Sequence, residues 1–158
     1  MNEIISWMHE HTTALFDGPA EVVVDREEIT VIGALPPDDS DHTTAERITA
    51  YRERTRAERI AVAREAEELF RRKVSWGVTS GEDRAMFTHL AVPVMTRLRQ
   101  SERRVLDTLV AGGVARSRAD ALAWCVRLVG EHESDWIGRL REALQSVEEA
   151  RATGPKAG

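Results

Sequence analysis

The sequence predicts an α+β protein: a small N-terminal β-β-α-β-β module, then a strand-helix-helix segment, then a C-terminal helix. β-Branched and alternating runs separated by polar turns predict strands in the first part of the chain. A long stretch with helical spacing separates those runs into two pairs, and capped, apolar-periodic stretches follow them. These changes of pattern place the module at 1–92, the strand-helix-helix segment at 93–130, the last helix at 131–150 and a disordered tail at 151–158.

Two hairpins are predicted in the N-terminal module. Residues 21–24 and 29–32 are β-branched runs on either side of a polar turn. Residues 74–78 alternate, a Gly-containing turn follows, and residues 86–90 return, which predicts the second hairpin. Four strands and one long helix leave an open face, which other helices or a partner chain must cover.

Two helices and a loop complete the module. Residues 1–16 are loosely periodic and predict a short helix, and the polar, proline-rich stretch 36–42 predicts a mobile connection. Residues 44–72 predict one long exposed helix that begins at Thr43 or Thr44, and its closely balanced arginines and glutamates favour a solvated face. Its apolar stripe is thin in the middle and consists of Ile48, Tyr51, Val62, Ala66, Leu69 and Phe70.

An alternating segment at 94–99 carries most of the functional signal. If it is a strand, Val94, Thr96 and Leu98 share one face, and the other face carries Met95, Arg97 and Arg99. Because a buried, unpaired charge is costly, Arg97 and Arg99 are expected to face outward. The strand either pairs with a second chain or lies inside the sheet of the preceding module, and Pro93 weighs against the second alternative.

Capped helices follow this segment. The first is predicted to begin at Ser101 and to end at Gly112-Gly113, and the second is predicted to begin at Ser117 with Asp120 as its capping partner. Their apolar stripes are Val105, Leu106, Leu109 and Val110, and then Leu122, Cys125, Val126 and Val129. Gly130 and Ser134 predict a break and the cap of the last helix, whose stripe is Trp136, Ile137, Leu140, Leu144 and Val147.

The order strand, helix, Gly-containing turn, helix over residues 94–129 resembles the ribbon-helix-helix family of DNA-binding proteins. The resemblance implies a homodimer in which two chains pair their strands into an antiparallel ribbon that reads the major groove of double-stranded DNA. It implies that the base-reading residues are Met95, Arg97 and Arg99. It also implies that Ser117 and Arg118, at a helix N-terminus, hold phosphates. Many family members begin with the ribbon strand, whereas here a whole module precedes it.

The charge distribution agrees with a DNA-binding segment. Residues 1–92 hold 11 basic and 18 acidic side chains, a balance of −7. Residues 93–130 hold 7 arginines and 3 acids, a balance of +4, and residues 131–158 have a balance of −2. The basic charge is therefore concentrated in the segment that is expected to bind DNA.

Composition limits the class of protein further. The chain has 158 residues, 42% of them hydrophobic and 31% charged, as in ordinary globular proteins. No apolar run approaches the ~18 residues of a membrane span, and the first ten residues lack a basic signal region, so we expect a cytoplasmic protein without a membrane partner. The single cysteine fits a reducing compartment, and the preference for arginine over lysine suggests a bacterial genome.

Motifs for catalysis and cofactor binding are absent from the sequence. There is no phosphate-binding Gly-rich loop, dinucleotide fingerprint, His-Glu-x-x-His or Gly-x-Ser-x-Gly, so we expect no enzyme activity and no cofactor. His9 and His11 do not converge on a helix, so no metal site is expected, and His89 is interpreted as a structural histidine in a strand. Two functions remain: a sequence-specific, homodimeric transcriptional regulator, or a dimeric scaffold that does not bind DNA.

Overall fold

The structure, a computed structural model, describes residues 2–37 and 41–152. The α+β fold class is confirmed. The chain divides into two compact units, Met1–Val94 and Met95–Gly158. In chain order the elements are α1 (Asn2–Thr12), β1 (Glu21–Val24), β2 (Glu28–Ala34), α2 (Thr44–Arg54), α3 (Arg56–Phe70), β3 (Lys73–Ser80), β4 (Asp83–Met86), α4 (Gln100–Ala111), α5 (Arg118–His132) and α6 (Ser134–Ala152).

The first unit contains a four-stranded sheet with the order β1-β2-β3-β4. The β1–β2 and β3–β4 pairs are antiparallel hairpins, as predicted, whereas β2 and β3 are parallel and are connected by α2 and α3. The returning strand of the second hairpin was predicted too late in the chain. Gly81, at φ +62°, allows a tight turn, so pairing resumes at Asp83.

The core of the first unit lies between one face of the sheet and the helices. Because side chains alternate along a strand, Ile29 and Val31 of β2 share this face with Val74, Trp76 and Val78 of β3. The helices contribute Ile4, Met8, Tyr51, Val62 and Ala66. Helices of this chain therefore cover that face of the sheet.

The single long helix predicted at 44–72 is wrong, because the helix breaks at Thr55 into α2 and α3. Thr55 has φ −91° and ψ 1°, and its buried hydroxyl donates to the Tyr51 carbonyl at 2.8 Å. A threonine hydroxyl bonded to the preceding turn often bends a helix. The predicted start is correct: Thr43 is the N-cap, and Glu46 completes a capping box.

Residues 94–98 form no strand within the described chain, and they do not join the sheet of the first unit. Val94 is 86% exposed, although the predicted alternation placed it inward with Leu98. Leu98 alone of the three predicted inner residues is half-buried. A strand needs a neighbour to satisfy its backbone groups, and residues 2–37 and 41–152 supply none to the segment.

Three helices make up the second unit. Leu106, Ala115 and Ala121 are buried, and half-buried side chains around them include Leu98 and Cys125. The N-cap of α4 is Arg99 rather than Ser101, because the Glu102 carboxylate accepts from the Arg99 N–H at 2.5 Å. Ser117 caps α5 as predicted, with its hydroxyl oxygen accepting from the Asp120 N–H.

Two segments that were predicted to be irregular lie partly outside the described residues. The predicted tail at 151–158 begins too early, since Arg151 and Ala152 belong to α6, and residues 153–158 lie outside the described part. Residues 38–40 of the predicted mobile loop also lie outside it. No helix within 2–37 and 41–152 is long and apolar enough to cross a membrane.

Candidate nucleic-acid interface

The three residues predicted to read bases lie at the surface of the second unit, at the entrance to α4. Met95 is 99% exposed, and the Arg97 and Arg99 side chains are exposed as well. Within the described chain Arg97 makes no hydrogen bond or ion pair. The guanidinium groups of this segment are therefore accessible to solvent.

The segment is fixed at its C-terminal end. Leu98 packs against the small core of the second unit, and the Arg103 guanidinium donates to the Leu98 carbonyl at 2.6 Å. The bond from the Arg99 N–H to Glu102 holds the next residue at the start of α4. Arg97 and Arg99 thus flank an anchored residue, which restricts their backbones while their side chains remain free.

The two predicted phosphate anchors already have partners in this chain. Arg118 donates from Nε and Nη2 to the two carboxylate oxygens of Asp107, at 2.7 and 2.8 Å. The hydrogen bond from Arg118 lowers the pKa of Asp107, and the same bond raises the pKa of Arg118. The Ser117 hydroxyl is occupied by its capping bond. Both groups are exposed, but neither is free.

Asp120 opposes anion binding at the same helix end. Its carboxylate lies in the first turn of α5 and accepts from the Arg116 N–H at 2.9 Å. A negative charge at a helix N-terminus stabilises the helix and repels a second anion. The N-terminus of α5 is therefore a weaker phosphate site than the sequence pattern implied.

The second unit has a large uncovered apolar surface. Among described residues it has three buried hydrophobic side chains, whereas ten large hydrophobic side chains are exposed. The exposed ones are Met95, Val105, Val114, Val126, Leu128, Val129, Trp136, Leu140, Leu144 and Val147. Several belong to the predicted helical stripes, so the outer parts of those stripes are not covered within the second unit.

A second candidate site, in the first unit, was missed by the sequence reasoning. A groove of about 460 Å³ runs beside α2, α3 and β3, and Arg52, Arg56 and Arg59 line it together with Phe87. Arg59 is only 6% exposed. The signal was present in the sequence: the thin middle of the apolar stripe between Tyr51 and Val62 is occupied by Thr55 and Arg59. A charged residue in a core stripe indicates a special environment.

The three histidines that the sequence analysis considered, His9, His11 and His89, do not form a common site. His9 Nε2 lies 2.9 Å from the Ala20 carbonyl, and His11 Nδ1 lies 2.8 Å from the Trp7 carbonyl while its ring stacks on Trp7. His89 is exposed and outside any strand, so its interpretation as a structural strand histidine is wrong. In the described ranges no group of three or more His, Cys, Asp or Glu residues is placed to hold a metal ion.

The fold defines a two-unit α+β protein. A unit of sheet and helices comes first, and a small helical unit follows, with the basic entrance segment, residues 94–99, before its first helix. The chain belongs to the Rv1265-like protein family. The model of that family's N-terminal domain matches residues 2–86, and the model described as the Mb1296 C-terminal domain matches residues 99–151. Met95 and Arg97 fall between the two matched regions, whereas Arg99 falls within the second.

Curated relatives are mycobacterial. The uncharacterized proteins Mb1296 of Mycobacterium bovis and Rv1265 of Mycobacterium tuberculosis are each 57% identical to this chain over 145 residues. These matches cover 89% of this chain and 64% of each relative, so the chain spans less than two thirds of their length. No solved structure matches the chain.

Proposed function

We propose that the protein is a homodimeric, sequence-specific DNA-binding protein, with the role of a transcriptional regulator. The observation that carries the proposal is the exposed, basic segment containing Arg97 and Arg99, directly before two capped helices whose outer apolar surface is uncovered. The net charge of +4 on residues 93–130 supports binding to a polyanion. The proposal requires a second copy of the chain.

The uncovered helices of the second unit support the dimer. Val126 and Val129 continue the stripe of Leu122 and Cys125 on α5, yet they are 66% and 51% exposed. Contiguous exposed apolar surface of this kind usually marks a protein interface. A second copy of the chain covers these residues without requiring any other partner.

Pairing of the entrance segments supplies the DNA-reading surface. Residues 94–98 have no strand partner within the described chain, so their backbone groups, apart from the Leu98 carbonyl that accepts from Arg103, are available to the same segment of a second copy. In an antiparallel ribbon, alternation places Met95, Arg97 and Arg99 on one face, and the major groove admits such a ribbon. Arg97 is the principal base reader, since a guanidinium donates two hydrogen bonds to guanine O6 and N7.

Arg118 has a secondary role in this proposal. Its ion pair with Asp107 is solvent-exposed at both ends, with side chains 59% and 50% exposed, and such pairs are weak in water. A DNA phosphate competes with Asp107 for the guanidinium, and the Ser117 cap is retained. Phosphate contacts of this type fix position without reading sequence.

The test is selection of bound fragments from genomic DNA, followed by gel retardation with the selected fragment and with unrelated DNA. Arg97→Ala should weaken binding to the selected fragment by about tenfold or more and should relax its preference over unrelated DNA. Arg118→Ala should weaken binding to both DNAs by similar factors and flatten the salt dependence.

Arg64→Ala is the matched control, because it removes the same charge from an exposed position of α3 in the first unit. It should leave both affinities nearly unchanged. If a folded dimer retards no fragment at low salt, or if Arg97→Ala behaves like Arg64→Ala, the DNA-binding proposal fails. A dimer without DNA binding would instead favour a dimeric scaffold.

A further inference from the structure

Arg59 is a buried cation whose charge is not neutralised inside the first unit. Its side chain is 6% exposed, and within the described chain it forms no ion pair with a carboxylate. Nε donates to the Thr55 hydroxyl at 3.1 Å and Nη2 donates to the Arg52 carbonyl at 2.7 Å. These bonds satisfy two donors but supply no negative charge, and burial lowers the pKa of the guanidinium.

Two more arginines converge on the same groove. Arg52 and Arg56 line it beside Arg59, and both add positive charge near that residue. Arg56 is exposed and makes no hydrogen bond or ion pair with any described residue. Glu53 is the single acidic residue among the lining residues, so the balance of the lining is positive.

The floor of the groove is apolar and aromatic. Phe87 is buried, with the Arg59 guanidinium carbon 4.8 Å from its ring centroid and that of Arg52 at 5.7 Å. Val74 and Trp76 of β3 lie beside it. The volume of about 460 Å³ falls within the roughly 300–1,000 Å³ typical of small-molecule pockets.

We propose that this groove binds a small organic anion, in which a carboxylate or phosphate group is joined to a flat apolar body. The anionic group pairs with Arg56 and Arg59, and the apolar body packs on Ile60 and Ala63, the apolar lining residues of α3 that are not fully buried. Guanidinium groups recognise both carboxylates and phosphates through paired N–H donors, so the shared chemistry is the anionic head. This ligand site is independent of the DNA-binding proposal.

The roles of the three arginines differ. Arg59 is held in place by Thr55 and by the Arg52 carbonyl, so it presents a preorganised charge. Arg52 has a long bond of 3.4 Å to the Phe87 carbonyl and mainly covers the ring. Arg56 is unrestrained by described partners and closes on the anion when it binds. Arg56 is consequently the residue to test, because its replacement leaves the packing of the unit intact.

The experiment is calorimetric titration of the whole chain, without DNA, using phenyl phosphate and benzoate as probes. Inorganic phosphate and benzyl alcohol serve as partial probes that carry only the anionic head or only the flat body. We expect saturable binding of phenyl phosphate or benzoate, with weaker binding of both partial probes. If phenyl phosphate binds more tightly than benzoate, the natural ligand carries a phosphate. If benzoate binds more tightly, the ligand carries a carboxylate.

Variants decide where the probe binds. Arg56→Gln should weaken the tighter probe by about tenfold or more, as expected for loss of a charge-assisted hydrogen bond. Arg64→Gln, on an exposed part of α3 away from the groove lining, should leave it unchanged. Arg59→Met should abolish probe binding if the variant folds. If that variant does not fold, the affinity of Arg56→Gln is the test of the site. No saturable heat at millimolar probe, or equal affinity in Arg56→Gln and Arg64→Gln, overturns the proposal.

Discussion

Tyr51 is the single tyrosine of the chain, and its environment is closed. Its side chain is 2% exposed, and its hydroxyl donates to the Leu15 carbonyl at 2.5 Å. Burial raises the pKa of Tyr51 to about 12, although the positive charge of Arg59 acts in the opposite direction. The neutral phenol is therefore the form that the fold stabilises.

We predict that alkaline pH destabilises the first unit through Tyr51. The unfolded tyrosine ionises near pH 10, whereas the folded one has a pKa of about 12, so the folded state retains the proton in that window. This contribution to stability is fully present below pH 10 and is lost as the pH rises toward 12. Absorbance at 295 nm should show a neutral phenol at pH 10.5 in buffer and an ionised one in denaturant.

The control for this titration is Tyr51→Phe, which removes the ionising group and should flatten the alkaline dependence of the denaturation midpoint between about pH 10 and 12. An absorbance midpoint near 10 in the folded protein would show that the hydroxyl is not buried.

Gly33 is a position where close packing leaves no room for a side chain. A Cβ there would overlap the ring of Phe16, which is itself buried against the sheet. We predict that Gly33→Ala lowers the free energy of unfolding by about 1–3 kcal/mol or more, because neither the strand nor the ring is free to move. Urea denaturation followed by circular dichroism measures the change.

Gly130→Ala is the matched substitution in a helix. Nothing lies within 4 Å of a Cβ at this position of α5, so the change should be neutral or stabilising by up to about 1 kcal/mol. Equal destabilisation by both substitutions would contradict the close approach of Phe16 to Gly33.

At the scale of elements, α2 depends on its N-terminal cap. The Glu46 carboxylate accepts from the Thr43 N–H and hydroxyl at 2.8 Å each, and the bond from the Thr43 backbone is the main cause of a lowered pKa of Glu46. We predict that Thr43→Ala costs about 1 kcal/mol of stability, measured by thermal unfolding. Thr49→Ala, six residues further on and also exposed, should cost less, since its hydroxyl only bonds back to the Ala45 carbonyl.

Helix α6 shows an uncovered seam. Ile137, Leu140, Leu144 and Val147 recur at intervals of three and four residues, which is the spacing of a helix–helix seam, and Leu144 is 56% exposed. Leu140 and Val147 are exposed as well, at 47% and 46%, so this apolar face of α6 is not covered within the second unit. The homodimer proposed above would place a second copy of the helix against this seam.

At the scale of the whole molecule, we predict that Leu144→Asp weakens the dimer. A charged side chain in an apolar interface loses its hydration, so sedimentation velocity should show a shift toward monomer at micromolar concentration. The matched control is Leu69→Asp. Leu69 is also an exposed helical leucine, at 57%, but it lies on α3 of the first unit. It should leave the sedimentation unchanged. A wild-type chain that sediments as a folded monomer would rule out the dimer and with it the paired ribbon.

Local signals in the sequence were sufficient for the fold class, the first hairpin and the caps at Thr43 and Ser117. They also indicated the second hairpin, but placed its returning strand too late in the chain. Hairpins and caps depend on residues that are close in the chain, so turn residues and periodicity encode them directly. The side chains of Arg97 and Arg99 are exposed, as predicted, but strand alternation is not the reason, because Val94 and Thr96 are exposed as well. A role for those residues in DNA binding remains a proposal.

Tertiary structure alone decided the features that depend on distant residues. The parallel pairing of β2 with β3 and the burial of Arg59 against Phe87 follow from packing between segments that are far apart in sequence. The ion pair between Arg118 and Asp107 also joins two helices. Residues 94–98 have the alternation of a strand but no strand neighbour in the described part of the chain, and a strand forms only when another strand satisfies its backbone groups.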